Sequence, residues 1–564
     1  MTHPGEQFYP EGVHWDDPIA CGTVPGLLSK AAADFGARPA IEFRDRAISF
    51  AELEEMAEVA AGAFMRAGFG KSTSVALFLG NTPDHPVNFF GALKAGARIV
   101  HLSPLDGMRA LSHKLSDSGA RILVTSDLAA LLPTALKFLE KGLLDRLIVC
   151  EDDRWGAIGN PHAPIPDHPS IVTFAKFIEG AVKPAQWPRI SPDDVALLQY
   201  TGGTTGLPKG AMLSHGNLTS AVSIYAVWSS PARRQRNAIE RVICVLPLFH
   251  IYALTVIMLS SLAHGNLVSL HQRFDVEAVM RDIEVKRATV FPGVPTMWIA
   301  IASLPDLESR DLSSLVSCGS GGAPLPVEVA RIFERKTNMK LKSGWGMTET
   351  CSPGTAHPQQ GPDKPGSIGL MLPGIEMDVV ALDDPAKTLP PGEVGEIRIK
   401  GPNVTKGYWN RPQETAQAFV GDRFLTGDIG YMDEDGYFYL VDRKKDMIIS
   451  GGFNVYPQMI EQAIYEHPAV EEVIVIGIPD DYRGEAAKAF IKLRPGSPAF
   501  SLDDLKAFLA GKLGRHEIPA ALEFATELPR TPVGKLSRHE LRNQQSMSQP
   551  APPHQQQLAT GGRS

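Results

Sequence analysis

At 564 residues the chain is long enough for roughly two to four domains with sizeable cores. Its 43% hydrophobic and 21% charged content is that of an ordinary globular protein, and a formal net charge of -8 without a long basic block argues against nucleic acid as the main partner. The five cysteines, Cys21, Cys150, Cys244, Cys318 and Cys351, have neither a CxxC pair nor metal-type spacing; they read as reduced, mostly buried thiols, and with no secretory pattern at the N-terminus the expectation is a cytoplasmic protein.

The first 190 residues alternate helical patterns with short apolar runs, which predicts parallel βαβ units. A helix is expected over Pro25–Phe35, a strand over Ala40–Phe43, and a helix from Ser49 with Glu52 completing a capping box. Strands follow at Val75–Leu79, Arg98–Leu102 and Arg121–Thr125, with a helix through Phe89–Ala95. None of these segments specifies chemistry. The run Val242–Leu262 is apolar, but Pro247 and His250 interrupt it, so it reads as core and not as a membrane span.

Chemistry first shows at Thr201-Gly202-Gly203-Thr204-Thr205-Gly206-Leu207-Pro208-Lys209-Gly210, behind the strand-like run Val195–Tyr200 and ahead of a helix opening near His215. Glycine lets backbone N–H groups approach phosphate oxygens, and the hydroxyls and Lys209 add donors and charge. The nucleotide loop of P-loop ATPases is excluded, because Lys209 lies between Pro208 and Gly210 and no Ser/Thr follows it to hold magnesium. A second apolar strand, Arg241–Leu246, runs into Pro247-Leu248-Phe249-His250, where a ligand would meet the carboxyl end of a parallel sheet. Val316–Leu325 ends in the cluster Gly321-Gly322-Ala323-Pro324, where Pro324 breaks a dinucleotide fingerprint. In Gly344-Trp345-Gly346-Met347-Thr348-Glu349, the glycines leave the Trp345 ring face free for a purine, Thr348 can donate to a phosphate, and Glu349 is a hard oxygen ligand.

From Gly392 the pattern alternates with period two, predicting a small antiparallel sheet or barrel that carries Asp428 in a Thr-Gly-Asp turn. Asp442-Arg443-Lys444-Lys445-Asp446 marks a domain boundary, and Gly451 and Gly452 follow it. Helix Gln458–Tyr465, strands Val470–Ile478 and Ala487–Leu493, and helix Leu502–Leu513 lead to Pro529-Arg530-Thr531-Pro532-Val533-Gly534-Lys535. Residues 544–564, rich in Gln, Pro, Ser and Gly, read as a disordered tail.

Together these motifs resemble the acyl-adenylate-forming, or AMP-binding, superfamily, which contains acyl-CoA synthetases, firefly luciferase and the adenylation domains of peptide synthetases. The stretch around His250 looks most like bacterial medium- and long-chain fatty acyl-CoA synthetases. The resemblance implies an α/β fold: an αβαβα-layered N-terminal domain over 1–444 with a small β-barrel at about 360–441, and a small mobile α+β domain over 445–543. It also implies ATP and Mg2+ as cofactors, coenzyme A as co-substrate, and an aliphatic, mono- or dicarboxylic acid that is activated as its adenylate. By residue it implies phosphate contacts at Thr201–Gly206 and Lys209, an adenine border at Gly322, Ala323 and Pro324, and nucleotide and metal contacts across Gly344–Glu349. Ribose contacts fall on Asp428 and Arg443, the acid carboxylate and pyrophosphate on His250, and the hinge on Lys445. Gly451 and Gly452 suit the pantetheine arm, and Lys535 completes adenylation. Membrane contact is at most peripheral, and the oligomeric state stays open. Aromatic acids, a carrier-protein acceptor, and a non-catalytic acyl- or nucleotide-binding module are the alternatives.

Overall fold

The computed structural model describes residues 3–201, 207–231, 238–358, 360–362, 364–531 and 534–548. The chain divides into two compact units, Met1–Leu440 and Val441–Ser564.

In the first unit, a seven-stranded sheet runs in the order Ile171–Thr173, Arg146–Cys150, Ile122–Ser126, Ser74–Leu77, Arg98–His101, Val195–Thr201, Lys209–Ser214. All its strands are parallel except the last. Alternate residues serve two cores: Val75, Leu77, Ile99 and Val124 pack on one side, and Ala76, Phe78, Val100 and Leu123 on the other. Burial on both faces explains why these strands read as unbroken apolar runs. Helices Phe50–Arg66 and Asp84–Lys94 pack together where Gly91 lies so close to Ala60 that a Cβ on it would sit 2.7 Å from the alanine methyl. The Ser49–Glu52 capping box is formed, with both reciprocal bonds present. The second helix begins at Asp84 and not at Phe89, because its first turn is buried among polar partners that no apolar period reveals.

A fourteen-stranded sheet completes this unit. Leu341–Trp345, Ser317–Ser320, Val290–Gly293, Arg241–Cys244, Leu267–Leu270 and Pro39–Phe43 form its parallel part. Beyond Leu341–Trp345 the same hydrogen-bonded path continues antiparallel through Thr355–Ala356, Ser367–Met371, Tyr437–Arg443, Arg423–Met432, Gly395–Lys400 and Glu376–Val380. The expected barrel is thus the antiparallel end of the large sheet. Among the described residues no helix is long and apolar enough to cross a membrane, and Val242–Leu262 is divided between a strand, a loop and helical segments.

The second unit holds a five-stranded sheet ordered Phe453–Val455, Ile448–Ser450, Gly484–Leu493, Val470–Asp480, with Ala521–Phe524 added parallel to Gly484–Leu493. Helices Pro457–Tyr465, Leu502–Leu509 and Arg538–Ser548 accompany it. The last helix takes in residues 544–548, the start of the stretch expected to be a tail, while 549–564 lie outside the described residues. Arg538, on its first turn, donates to Asp442 Oδ1 at 2.7 Å and reaches both oxygens of Glu461 at 3.0 and 2.6 Å. Arg542 donates to Asp446 Oδ1 at 2.8 Å. Burial works to lower the Arg538 guanidinium, but the carboxylates, Glu461 first, outweigh it and hold the pKa above the usual arginine value. Burial likewise raises the Asp442 and Glu461 carboxyls, against the pull of Arg538.

Removing the cation from such a cluster leaves buried charge uncompensated. Arg538→Met is expected to destabilise the second unit by about 3–5 kcal/mol, seen in calorimetry of the whole chain as a lowered thermal transition. A transition at the wild-type temperature would show that the carboxylates do not depend on Arg538.

Candidate active site

The strand Val195–Thr201 does not lead directly into a helix, as the sequence suggests. It pairs antiparallel with Lys209–Ser214, Thr201 opposite Lys209 and Tyr200 opposite Gly210, and only then does helix His215–Trp228 begin, capped by Ser214 and Asn217. Buried Ala211 and Leu213 on one face and the close approach of Gly210 to the Tyr200 ring favour the extra strand. The strands on either side of the glycine-rich loop are therefore antiparallel neighbours, and the N-terminus of helix His215–Trp228 lies beyond the second of them. Gly202, Gly203, Thr204, Thr205 and Gly206 lie outside the described residues.

Lys209 and Glu349, far apart in sequence, come together on Tyr408. The Lys209 ammonium lies 5.4 Å from the centre of the Tyr408 ring, and the Tyr408 hydroxyl donates to Glu349 Oε1 at 2.8 Å. Burial first, and then the charge of Glu349, pushes the Tyr408 phenol well above its usual pKa, so it remains a donor. Glu349 itself is 5% exposed, and its carbonyl accepts from Thr405 N at 2.6 Å. The loop that brings in Tyr408 is pinned on both sides. Asn403 donates to the carbonyls of Thr350 and Pro353, and Asn217 donates to those of Pro402 and Val404. Sequence reasoning missed Tyr408; its one local signal was an aromatic pair, Tyr408-Trp409, straight after Gly407.

The turn that carries Thr348 and Glu349 is tight. A Cβ on Gly346 would fall 1.3 Å from the Ser352 carbonyl oxygen, and Cys351 and Ser352 hold positive φ of 53° and 95°. Backbone forced into this region by surrounding structure is common at functional sites. Trp345 is not the free ring that the flanking glycines suggest: it is 7% exposed, Gly354 approaches its six-membered ring, and its indole N–H donates to Asp428 Oδ2 at 2.7 Å. Asp428 lies not in a free turn but inside the strand Arg423–Met432. There Thr426, Gly427 and Asp428 bulge against a single partner position, with Gly427 at φ 70°. A bulge re-aims a strand side chain, and this one directs the Asp428 carboxylate to Trp345.

His250 is half-buried, at the end of the segment after strand Arg241–Cys244. Its Nδ1 accepts from the Tyr252 backbone N–H at 3.3 Å, so in the neutral ring the proton sits on Nε2, which becomes the donor. Tyr252 opens a π-helix, Tyr252–Leu259, and its ring covers Gly321, where a Cβ would be 2.8 Å from Tyr252 Cζ. This contact ties the histidine segment to Gly322, at φ 79°, and to half-buried Ala323 and exposed Pro324. Wide π turns are rare and recur at functional sites.

Arg443, Lys445, Gly451, Gly452 and Lys535 belong to the second unit. Arg443 and Lys445 are exposed. Gly451 and Gly452, at φ 60° and 83°, make the turn between strands Ile448–Ser450 and Phe453–Val455; nothing lies within 4 Å of a Cβ built on either, so backbone conformation is what asks for glycine. The Lys535 loop is drawn into a hairpin: Thr531 N donates to the Lys535 carbonyl at 2.6 Å, Lys535 N donates to Thr531 Oγ1 at 3.2 Å, and Arg530 bridges to Leu536. Of the cysteines, Cys21 is exposed and the others are buried.

The family model of the AMP-binding enzymes matches residues 28–409, and that of the AMP-binding enzyme C-terminal domain matches 459–535. The chain belongs to the AMP-binding enzyme family. It is an AMP-forming acid–thiol ligase, with the mixed α/β fold of that family. A long-chain-fatty-acid–CoA ligase of Bacillus subtilis (strain 168) is 36% identical over 551 residues, covering 95% of this chain and 97% of that protein. A feruloyl-CoA synthase of an Amycolatopsis species is 37% identical over 515 residues, with 89% and 95% covered. Among solved structures, ATP-bound MatB from Rhodopseudomonas palustris superposes with a TM-score of 0.82 at 29% identity, covering 93% of this chain and 99% of that one. An o-succinylbenzoate CoA synthetase from Bacillus subtilis with its acyl-adenylate intermediate does so at 0.77 and 28%, covering 92% and 98%.

Tyr408→Phe removes the hydroxyl from Glu349 and leaves the ring beneath Lys209. A hydrogen bond to a charged group contributes about 1.5–3 kcal/mol, so acid-dependent ATP–pyrophosphate exchange is expected to fall roughly ten- to a hundredfold in kcat/KM. Unchanged exchange would show that the hydroxyl does not support Glu349 in the reaction.

Proposed function

We propose that this ligase activates a medium- to long-chain aliphatic carboxylic acid as its acyl-adenylate and transfers the acyl group to coenzyme A, releasing AMP and pyrophosphate. The observation that carries the acid class is the buried apolar segment that starts two residues after His250. Ala253, Leu254, Ile257, Met258 and Leu259 of the π-helix are buried in the main apolar core, so the structure behind this histidine, itself able to donate from Nε2, is of the apolar character an aliphatic chain needs. The long-chain-fatty-acid–CoA ligase named for the Bacillus subtilis relative supports the same reading.

In adenylation two anions must meet, the acid carboxylate and the α-phosphate, so the residues have to neutralise charge. Thr201 and Lys209, with the loop between them, are assigned to the phosphates, Thr348 to the α-phosphate, and His250 to the attacking carboxylate. Asp428 and Arg443 are assigned to the ribose, and Gly322–Pro324 with the Gly344–Gly346 turn to the adenine. Glu349, a hard oxygen donor oriented by the Tyr408 hydroxyl, fits Mg2+, an ion that takes one or two carboxylates and fills its other positions with phosphate oxygens and water. When bound there, the ion supplies charge neutralisation to the phosphates. Lys535 is assigned to the charge that develops as pyrophosphate leaves, Lys445 to the pivot between half-reactions, and Gly451 and Gly452 to coenzyme A.

The direct test is thioester formation by the purified protein with ATP, Mg2+ and coenzyme A across short to long fatty acids, dicarboxylic acids, benzoate and cinnamates. An optimum among medium or long aliphatic acids is expected. An aromatic optimum, which the feruloyl-CoA synthase relative makes the rival to test, would overturn the acid class. Exchange without thioester would overturn coenzyme A as acceptor. Lys535→Ala is expected to slow adenylation by about 10²–10³-fold, the scale of losing one preorganised donor, with thioester formation from preformed acyl-adenylate largely spared. An equal fall in both half-reactions would remove Lys535 from the assigned role.

A further inference from the structure

Two buried histidines lie behind the site and belong to none of its motifs. His85 and His101 are 0% and 2% exposed, and their Nε2 atoms face each other at 3.2 Å. His101 Nδ1 is 3.1 Å from Gln199 Oε1, and Gln199 Nε2 donates to the Phe249 carbonyl at 3.0 Å. Gln199 is 7% exposed; it sits in the strand that reaches Thr201, and Phe249 immediately precedes His250.

The protons in this chain follow from its last member. A backbone carbonyl can only accept, so the Gln199 amide must turn its NH2 to Phe249 and its oxygen to His101. His101 Nδ1 must then carry the proton. In a neutral ring His101 Nε2 is left bare, so His85 Nε2 must donate to it and His85 Nδ1 must be bare. The surroundings agree: His85 Nδ1 is buried with no hydrogen-bond partner. Both rings are held neutral, His85 well below the usual histidine value through burial and then the neighbouring His101, and His101 down at about 4, mainly through burial. A second amide grips the same segment. Asn81 Nδ2 donates to the Leu246 carbonyl at 2.9 Å, and Asn81 Oδ1 accepts from Leu248 N at 2.8 Å.

We propose that His85, His101 and Gln199 form a one-way hydrogen-bond relay that positions the Phe249 carbonyl and with it His250. The relay joins the strand that ends at Thr201 to the segment that meets the acid, through a side chain two residues from that threonine. Gln199 and His101 are positioning residues, since neither touches a reacting atom. The functional part of this inference rests on the reading of His250 as a residue of the acid site.

The test uses the full-length protein labelled with 15N at histidine, the His101 signals being assigned by their loss in His101→Asn. The relay requires the Nδ1–H tautomer for His101, the less common form for a free imidazole, and the Nε2–H tautomer for His85. An Nε2–H signal for His101 in the wild-type protein overturns it, and that reading needs no variant to fold. Gln199→Met, checked for a wild-type thermal transition, leaves the Phe249 carbonyl without its donor. An unsatisfied buried acceptor of this kind corresponds to roughly a ten- to hundredfold loss, expected in kcat/KM for the acid in pyrophosphate exchange. Thioester formation from preformed acyl-adenylate is expected to be kept, and His101 is expected to leave the Nδ1–H form. Equal losses in both half-reactions would mark general damage and overturn positioning, as would wild-type exchange. If the wild-type protein forms thioester with no acid at all, the functional reading fails by itself, and the tautomer measurement still decides the relay.

Discussion

A carboxylate that is only 5% exposed, as Glu349 is, costs several kcal/mol unless polar groups meet it. The Tyr408 hydroxyl is one such group, and much of the surrounding architecture serves to bring it there. Asn403 and Asn217 fasten the loop before it to the Glu349 turn on one side and to helix His215–Trp228 on the other. Three stretches far apart in sequence thus become one polar cluster, with Lys209 over the face of the same tyrosine ring. A positive charge above the ring and a negative charge at its hydroxyl are oriented by a single rigid side chain.

The strands beside the glycine-rich loop pair with each other before any helix begins. Thr201 and Lys209 face each other across paired antiparallel strands, so the ends that flank the glycine-rich loop rest on a stiff base. Parallel strands buried on both faces supply it. The Gln199 side chain, in the strand that feeds the hairpin, spans from that base to the backbone next to His250, so the two halves of the site share a support.

In the second unit the cation at Arg538 does comparable work. It gathers Asp442 and Glu461, while Arg542 takes Asp446, so the carboxylates that flank Arg443, Lys444 and Lys445 are tied to the helix that follows the Lys535 loop. The segment from Asp442 to Asp446 is therefore tied at both ends to the same helix of its own unit.

By itself the sequence determined the class of fold, the order of most elements and the family. Those signals are local: apolar runs, the Ser49–Glu52 capping box, glycines placed before threonines and lysines. It also supplied the candidates themselves, His250, Glu349, Asp428 and Lys535, because their motifs are contiguous. Only the tertiary structure decided what each candidate touches. The Lys209–Ser214 strand exists because its partner strand is beside it; Trp345 is buried because Asp428 bulges toward it; and the barrel is the end of a larger sheet because strand pairing is set by distant neighbours. Tyr408, Asn403, Gln199 and the two buried histidines carry no periodic or motif signal, since their roles lie in hydrogen bonds between residues that are not neighbours in the chain, 16 apart for His85 and His101 and 59 apart for Tyr408 and Glu349. Such bonds are fixed by packing, and packing is a property of the folded chain alone.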